Sequence, residues 1–332
     1  MAGTFDQFIS LALQARCADA LRVARSIPTA SLKPNQKTVV KQFLSRFTGR
    51  LASHRSRSPI GELISIYETY WHSALLSKDH GKYAERLLGK RVRRWLGQHR
   101  NVKISKASLE GTVVRLKREL EKMGFNCITG AVAPLQELEI WKKQSVVAHS
   151  ILLPEGHQDV KTYLMSKFLT KGWMAYATMG LYYPGGWAKK EGLYCNTHAY
   201  DLKSERFHVS LLGHEAQHFA DKKRFPKLGQ IDLEYRAKLA EFFFARRTAR
   251  RLFRTFASRA EYNEKSPHAY SNYCVLRDLS ESIFGHNDFI RIANNHQCLS
   301  ARILNRSAES LLKDHSQRLS RQGPRKVRRC IF

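Results

Sequence analysis

The stretch His214-Glu215-Ala216-Gln217-His218 carries the residue types and the spacing for metal-assisted hydrolysis. Histidines four residues apart share one helical face, one turn from each other. Both imidazoles can therefore reach a single Zn²⁺ at roughly 2.0–2.1 Å. Glu215 follows the first histidine, where its carboxylate can reach a water on the ion and act as general base. Apolar neighbours Val209, Leu211, Leu212, Ala216, Phe219 and Ala220 argue for a buried helix rather than a surface one. Ser204 or Ser210 is placed to cap its start, and Lys222-Lys223-Arg224 followed by Pro226 marks its end.

A catalytic zinc needs a third protein ligand and one open position. The next helical stretch, Asp232 to Glu241, supplies Glu234 and Glu241, 16 and 23 residues beyond His218. They lie about two turns apart on one face, so one can point at the ion while the other supports it. Glu234 is favoured because Leu233 and Ala237 flank it at the buried entry of the helix. Phe225-Pro226-Lys227-Leu228-Gly229 is a turn that folds this helix back on the first. Asp221 shares the face of His214 and His218. It is an alternative ligand, or a hydrogen-bond partner that orients His218.

This arrangement, over roughly Tyr194 to Glu241, resembles the gluzincin group of zinc metallopeptidases. Those enzymes carry H-E-x-x-H on one helix and a glutamate ligand on a later one. The resemblance implies Zn²⁺ on His214, His218 and Glu234, with Glu215 as base. The metzincin pattern does not fit, because Asp221 and Arg224 stand where that group has glycine and a further ligand. A donor to the oxyanion of the tetrahedral intermediate is also expected. His268 and Tyr270 are the candidates, by their order after the glutamate helix. Nothing resembles a serine nucleophile elbow or a phosphate-binding glycine loop.

The elements that must position these residues divide the 332-residue chain in three. Residues 1–124 are expected to be a basic, mainly helical region. Its helices span Phe5 to Ala24, Asn35 to Arg50, Gly61 to Leu76, Lys82 to Leu96 and Ser108 to Met123, with a linker at 51–60. Residues 125–290 are expected to form a zincin-like domain of α+β class, with a small sheet before the H-E-x-x-H helix. Leu138 to Trp141 and Ser145 to Leu153 alternate as strands do, Pro154-Glu155-Gly156 turns, and Leu193-Tyr194-Cys195 is a further short strand. An edge strand of such a sheet can pair with an extended peptide. Residues 291–332 read as a basic helical tail.

The formal net charge is +29. Residues 1–120 carry 23 Lys and Arg against 8 Asp and Glu, residues 121–240 carry 16 against 12, and residues 241–332 carry 18 against 8. The segment with the metal motif is nearly balanced, and the flanks hold the excess. Three runs concentrate it: Lys90-Arg91-Val92-Arg93-Arg94, Arg246-Arg247-Thr248-Ala249-Arg250-Arg251 and Arg325-Lys326-Val327-Arg328-Arg329. Beside a protein or peptide substrate, the expected partner is nucleic acid or another polyanion, with Trp95 available to stack on a base. A nucleic-acid-binding protein in which the H-E-x-x-H helix is structural is the rival reading.

Six scattered cysteines without a C-x-x-C pair argue against a zinc finger and for reduced thiols. No apolar run of membrane-spanning length and no secretory leader is present, so a cytoplasmic location is expected. Residues 5–26 are amphipathic and acid-poor, so they also bear a weak likeness to an organelle-targeting peptide.

Overall fold

The helices begin where the capping residues stand. Thr4, Ser58 and Ser108 accept N–H groups of the first turns of α1 (Phe5–Leu13), α4 (Pro59–Leu76) and α6 (Leu109–Lys122). Between them lie α2 (Cys17–Ser26), α3 (Pro34–Thr48) and α5 (Lys82–Arg100). The computed structural model describes residues 3–49, 58–77, 81–102, 108–189, 191–294 and 299–331. Most of the linker expected at 51–60 lies outside these residues, as does Cys298; residues 59 and 60 already belong to α4. The helix expected over Phe5 to Ala24 is two helices. The chain breaks at Ala15, which takes a left-handed φ of 58°, while Arg16 N–H closes on Leu11 O at 2.9 Å.

The class is α+β, as expected, with one sheet in the order β1-β2-β3-β5-β4. The strands are β1 (Asn126–Val132), β2 (Leu135–Leu153) and β3 (Gly156–Lys171), followed after α7 (Gly172–Ala177) by β4 (Gly186–Lys189) and β5 (Gly192–Asn196). The two strands expected between Leu138 and Leu153 are one long strand. Two units emerge, Met1–Gln144 with Met165–Pro184, and Ser145–Leu164 with Gly185–Phe332. They replace the expected boundaries at 124 and 290, because β2 and β3 each contribute residues to both.

In the first unit the apolar stripe Leu63, Tyr67, Tyr70, Trp71 and Ala74 of α4 is buried among Phe8, Phe43, Trp95, Leu116 and Leu138. The polar tips of two of these aromatics are satisfied by one residue of β2. Trp71 Nε1 donates to Gln136 O at 2.8 Å, and Gln136 N–H donates to the Tyr70 hydroxyl at 3.0 Å.

The second unit is mostly helical after β5. It contains α8 (Glu205–Phe207), a π-helical turn at His208–Gly213, α9 (His214–Arg224), α10 (Gln230–Phe244), α11 (Ala249–Ala257), α12 (Pro267–Phe284), α13 (Phe289–Asn294) and α14 (Ala301–Arg321). The central helix is α10, buried at every position from Asp232 to Phe242 and packed on α9, α12 and α14. Residues 299–331 are not a separate tail. Leu304, Ala308 and Leu312 enter the same core as α10 and α12, and Leu319, Val327 and Cys330 close over Phe225, Leu228 and Leu233. Among the described residues no helix is long and apolar enough to cross a membrane.

Candidate metal centre

Ser204 caps the helical run that leads into the motif, accepting from Phe207 N–H at 3.2 Å. The run then continues through the π-helical turn into α9, so the motif helix starts earlier than its apolar pattern implies. Such turns place side chains that an unbroken α-helix would rotate elsewhere. Gly213 closes the turn, and a Cβ there would sit 2.5 Å from the Phe244 ring of α10. Glycine thus permits the close approach of α9 to α10, and that approach brings the two helices' polar residues together.

The structure gathers His214, His218 and Glu234, with one ligand atom from each lying within 4.8 Å of the others. His214 Nε2 and His218 Nε2 face each other at 3.1 Å. Glu234 Oε2 lies 3.7 Å from His214 Nε2, and Glu234 Oε1 lies 3.5 Å from His218 Nε2. Three atoms bound to one tetrahedral ion at zinc bond lengths would be separated by roughly 3.3 Å. The two histidine nitrogens stand at about that spacing, and the two carboxylate distances belong to different oxygens; with one atom from each residue the set lies within 4.8 Å, near enough to close on a single metal ion.

Glu241, weighed as an alternative ligand, stands behind the cluster. Its Oε1 accepts from His214 Nδ1 at 2.9 Å. A carboxylate at Nδ1 fixes the tautomer in which Nε2 keeps its lone pair for a metal. Burial disfavours a charge on the His214 ring, but hydrogen-bonded Glu241, with Glu234 and Glu215 nearby, outweighs it and raises its pKa. Burial likewise opposes the Glu234 charge, yet the His218, His268 and His214 rings hold that carboxyl well below the usual range. Glu234 therefore presents the anion that a cation needs.

Asp221 is not in the cluster. Its Oδ1 pairs with Arg236 Nε at 2.9 Å and accepts from Gln217 Nε2 at 3.0 Å. Asp221 Oδ2 and His218 Nδ1 are both buried and both lack a hydrogen-bond partner among the described residues. Burial raises the Asp221 pKa against the opposing pull of Arg236. Glu215 is half-buried beside His214 and makes no ion pair or hydrogen bond among the described residues, which leaves its carboxylate free for chemistry.

Of the two expected oxyanion donors, His268 is near and Tyr270 is not. The His268 side chain is 72% exposed, with Nδ1 2.9 Å from Glu234 Oε2. Tyr270 is fully buried against Tyr262 and Tyr273, where no substrate reaches its hydroxyl. Helical phase explains the difference, since positions two apart on α12 point to different sides. The phenol that senses the site is Tyr200. Burial pushes its pKa up, Arg206 opposes, and Cys195, Glu241 and Glu215 add to the rise. It precedes the motif by 14 residues in a loop, and no spacing rule marks it.

Five charged residues of α10 are buried, and four have strong partners. Asp232 Oδ1 accepts Cys330 N–H at 2.9 Å and Ile331 N–H at 3.2 Å. Arg236 pairs with Asp221 and, through Nη2, with Glu155 Oε2 at 2.8 Å. Glu234 and Glu241 serve the cluster. Lys238 is the exception, with no carboxylate within ion-pair distance among the described residues, and burial lowers its pKa against the pull of Glu241 and Glu234.

Two basic runs anchor apolar neighbours in the core while most of their cations stay exposed. Trp95 is fully buried and its Nε1 donates to Pro59 O at 2.8 Å, so it is not a stacking platform. Val327 is core, and Arg329 forks onto Glu264 at 2.6 and 2.9 Å. The five described cysteines are buried, and burial pushes Cys17 to about 12 and Cys195 and Cys274 to about 11, which makes those three poor nucleophiles.

Comparison with protein-family models, with curated proteins and with solved structures finds no match for this chain. The functional reading therefore stands on the geometry and on the local motif.

Proposed function

We propose that the chain is a zinc-dependent peptidase of gluzincin-like design, with His214, His218 and Glu234 holding the ion. The observation that carries this reading is the convergence of three ligand atoms from α9 and α10 within 4.8 Å, with Glu241 on the far nitrogen of His214. A zinc ion so held supplies Lewis acidity toward a carbonyl oxygen and toward water. Glu215 takes the proton of the attacking water and returns it to the leaving amine. His268, exposed and 2.9 Å from Glu234, is the donor available to the developing oxyanion. β4, at the edge of the sheet and paired on one side with β5, offers backbone groups to an extended substrate.

Metal content by mass spectrometry of the intact protein is the test. About one zinc per chain is expected in the wild type, and none in His218→Ala. Glu215→Gln should keep the metal while turnover of peptides falls by roughly 10²–10⁴-fold. Absence of metal from chelator-free wild type sinks the reading. A different metal, such as iron, bound by the same residues would redirect it to another reaction class.

A further inference from the structure

A cavity of 440 Å³ opens beside the cluster, with His214 and Glu241 in its wall. Its remaining charged lining is cationic: Lys238 from α10, Arg206 from α8, Arg251 and Arg259 from or next to α11. Among the described residues none of these four has a carboxylate within ion-pair distance. The one carboxylate in the wall, Glu241, is engaged by His214. Lys238 is only 6% exposed, and its ammonium lies 4.7 Å from the centroid of the Phe256 ring, itself part of the wall. A buried ammonium without a counter-ion is costly, and a second, third and fourth cation around it increase the cost. The neighbouring buried cation on the same helix, Arg236, shows the usual solution, with two carboxylates on it.

We infer that this cavity is a carboxylate-recognition subsite, and that the enzyme selects peptides with an acidic group flanking the scissile bond. The inference rests on the peptidase reading for the word scissile and on the cavity alone for the acidic preference. Lys238 is the anchor, desolvated and rigid. Arg206, Arg251 and Arg259 form the exposed rim that attracts the anion. Part of the run Arg246 to Arg251 thus faces the site instead of a remote polyanion. The acidic group is either an Asp or Glu side chain or the terminal carboxylate of a peptide.

The test uses labelled randomised nonapeptide pools, one containing Asp and Glu and one with Asn and Gln in their place. Each is made with a free and with an amidated C-terminus. Binding to the Glu215→Gln protein is read by anisotropy at physiological salt, and cleavage by the wild type is read by mass spectrometry. The acidic pool should bind about tenfold more tightly, with acid enriched at one fixed position from the cut. A preference that follows the free C-terminus assigns the anion to the chain end, and one that survives amidation assigns it to a side chain. Lys238→Met should erase the preference. The surface double variant Arg251→Gln/Arg259→Gln should reduce it, which keeps the test decisive if Lys238→Met fails to fold. Lys90→Gln/Arg91→Gln/Arg94→Gln on α5 should leave it intact. Equal binding of all four pools, acidic or not and free or amidated, overturns the inference. So does a preference erased by the α5 changes, or an equal fall of kcat on both pools in Lys238→Met. An acidic preference in a protein without metal or turnover would retain the subsite and discard the peptidase.

Discussion

Glu137 and Glu139 on β2 and Glu234 and Glu241 on α10 are all carboxyl groups nearly sealed from water, yet the two units treat them oppositely. In the first unit no cation stands within ion-pair distance of either acid among the described residues. Burial pushes Glu137 up to about 7, against the pull of the Leu138 and Trp173 N–H groups. Burial, with the charge of Glu137, pushes Glu139 up to about 9. Burial thus favours the neutral form of each. In the second unit histidine rings stand against both acids, and they hold the Glu234 carboxyl well below the usual range. A buried acid that remains charged can hold a metal or orient its ligand, whereas a protonated one can only donate or fill space. This is why the chemistry is assigned to α9 and α10 and not to the sheet residues of the first unit.

The sharpest way to break the contrast is at Arg236. Arg236→Met strands Asp221 and Glu155, and loss of one partner of a buried pair costs about 3–5 kcal/mol. Segmental hydrogen exchange should show faster opening of α9, α10 and α14 with little change in α4 and β1. Uniform acceleration across both units would contradict the separation.

The next effect is in pH. Glu137 and Glu139 have folded values above the ordinary 4.5, so the folded state holds protons that the unfolded chain releases. Their contribution is fully present below about pH 4.5 and is lost as pH rises through about 7 and about 9, a few kcal/mol in total. Exchange protection of the first unit should fall over that range, and Glu137→Gln/Glu139→Gln should flatten the dependence. A first unit equally protected at pH 5 and pH 9 would show that these acids are ionised after all.

A smaller change is expected at Glu241. Glu241→Gln keeps a hydrogen-bond acceptor on His214 Nδ1 but removes the charge, and metal affinity should weaken roughly 10–100-fold. Complete loss of metal would make Glu241 a ligand and would displace Glu234. The smallest effect tests the exposed basic face of α5. Replacing Lys90, Arg91 and Arg94 by Gln should lower the salt slope of any duplex-DNA binding by about 0.9 per phosphate contact removed, without altering metal content.

What the chain's order of residues determined was local. The i, i+4 histidines with Glu215 between them, the turn at 225–229, the pair of glutamates on the helix after it and the capping serines follow from short-range geometry, and they predict a helix pair with a metal between. The break at Ala15 was hidden because apolar spacing continues in phase on both sides of it, and only the packing of two separate faces reveals it. Tertiary structure alone decided that Glu234 joins the cluster while Glu241 stands behind His214, since both lie on one face of α10 and only the approach at Gly213 sets their distances. It also decided that Tyr270 is core, that Trp95 is packed, and that Lys238 is buried with no carboxylate at ion-pair distance among the described residues. Spacing along a helix fixes which residues can face the same way. What they face depends on the neighbouring helix, and that neighbour is chosen by the packing of residues far away in the chain.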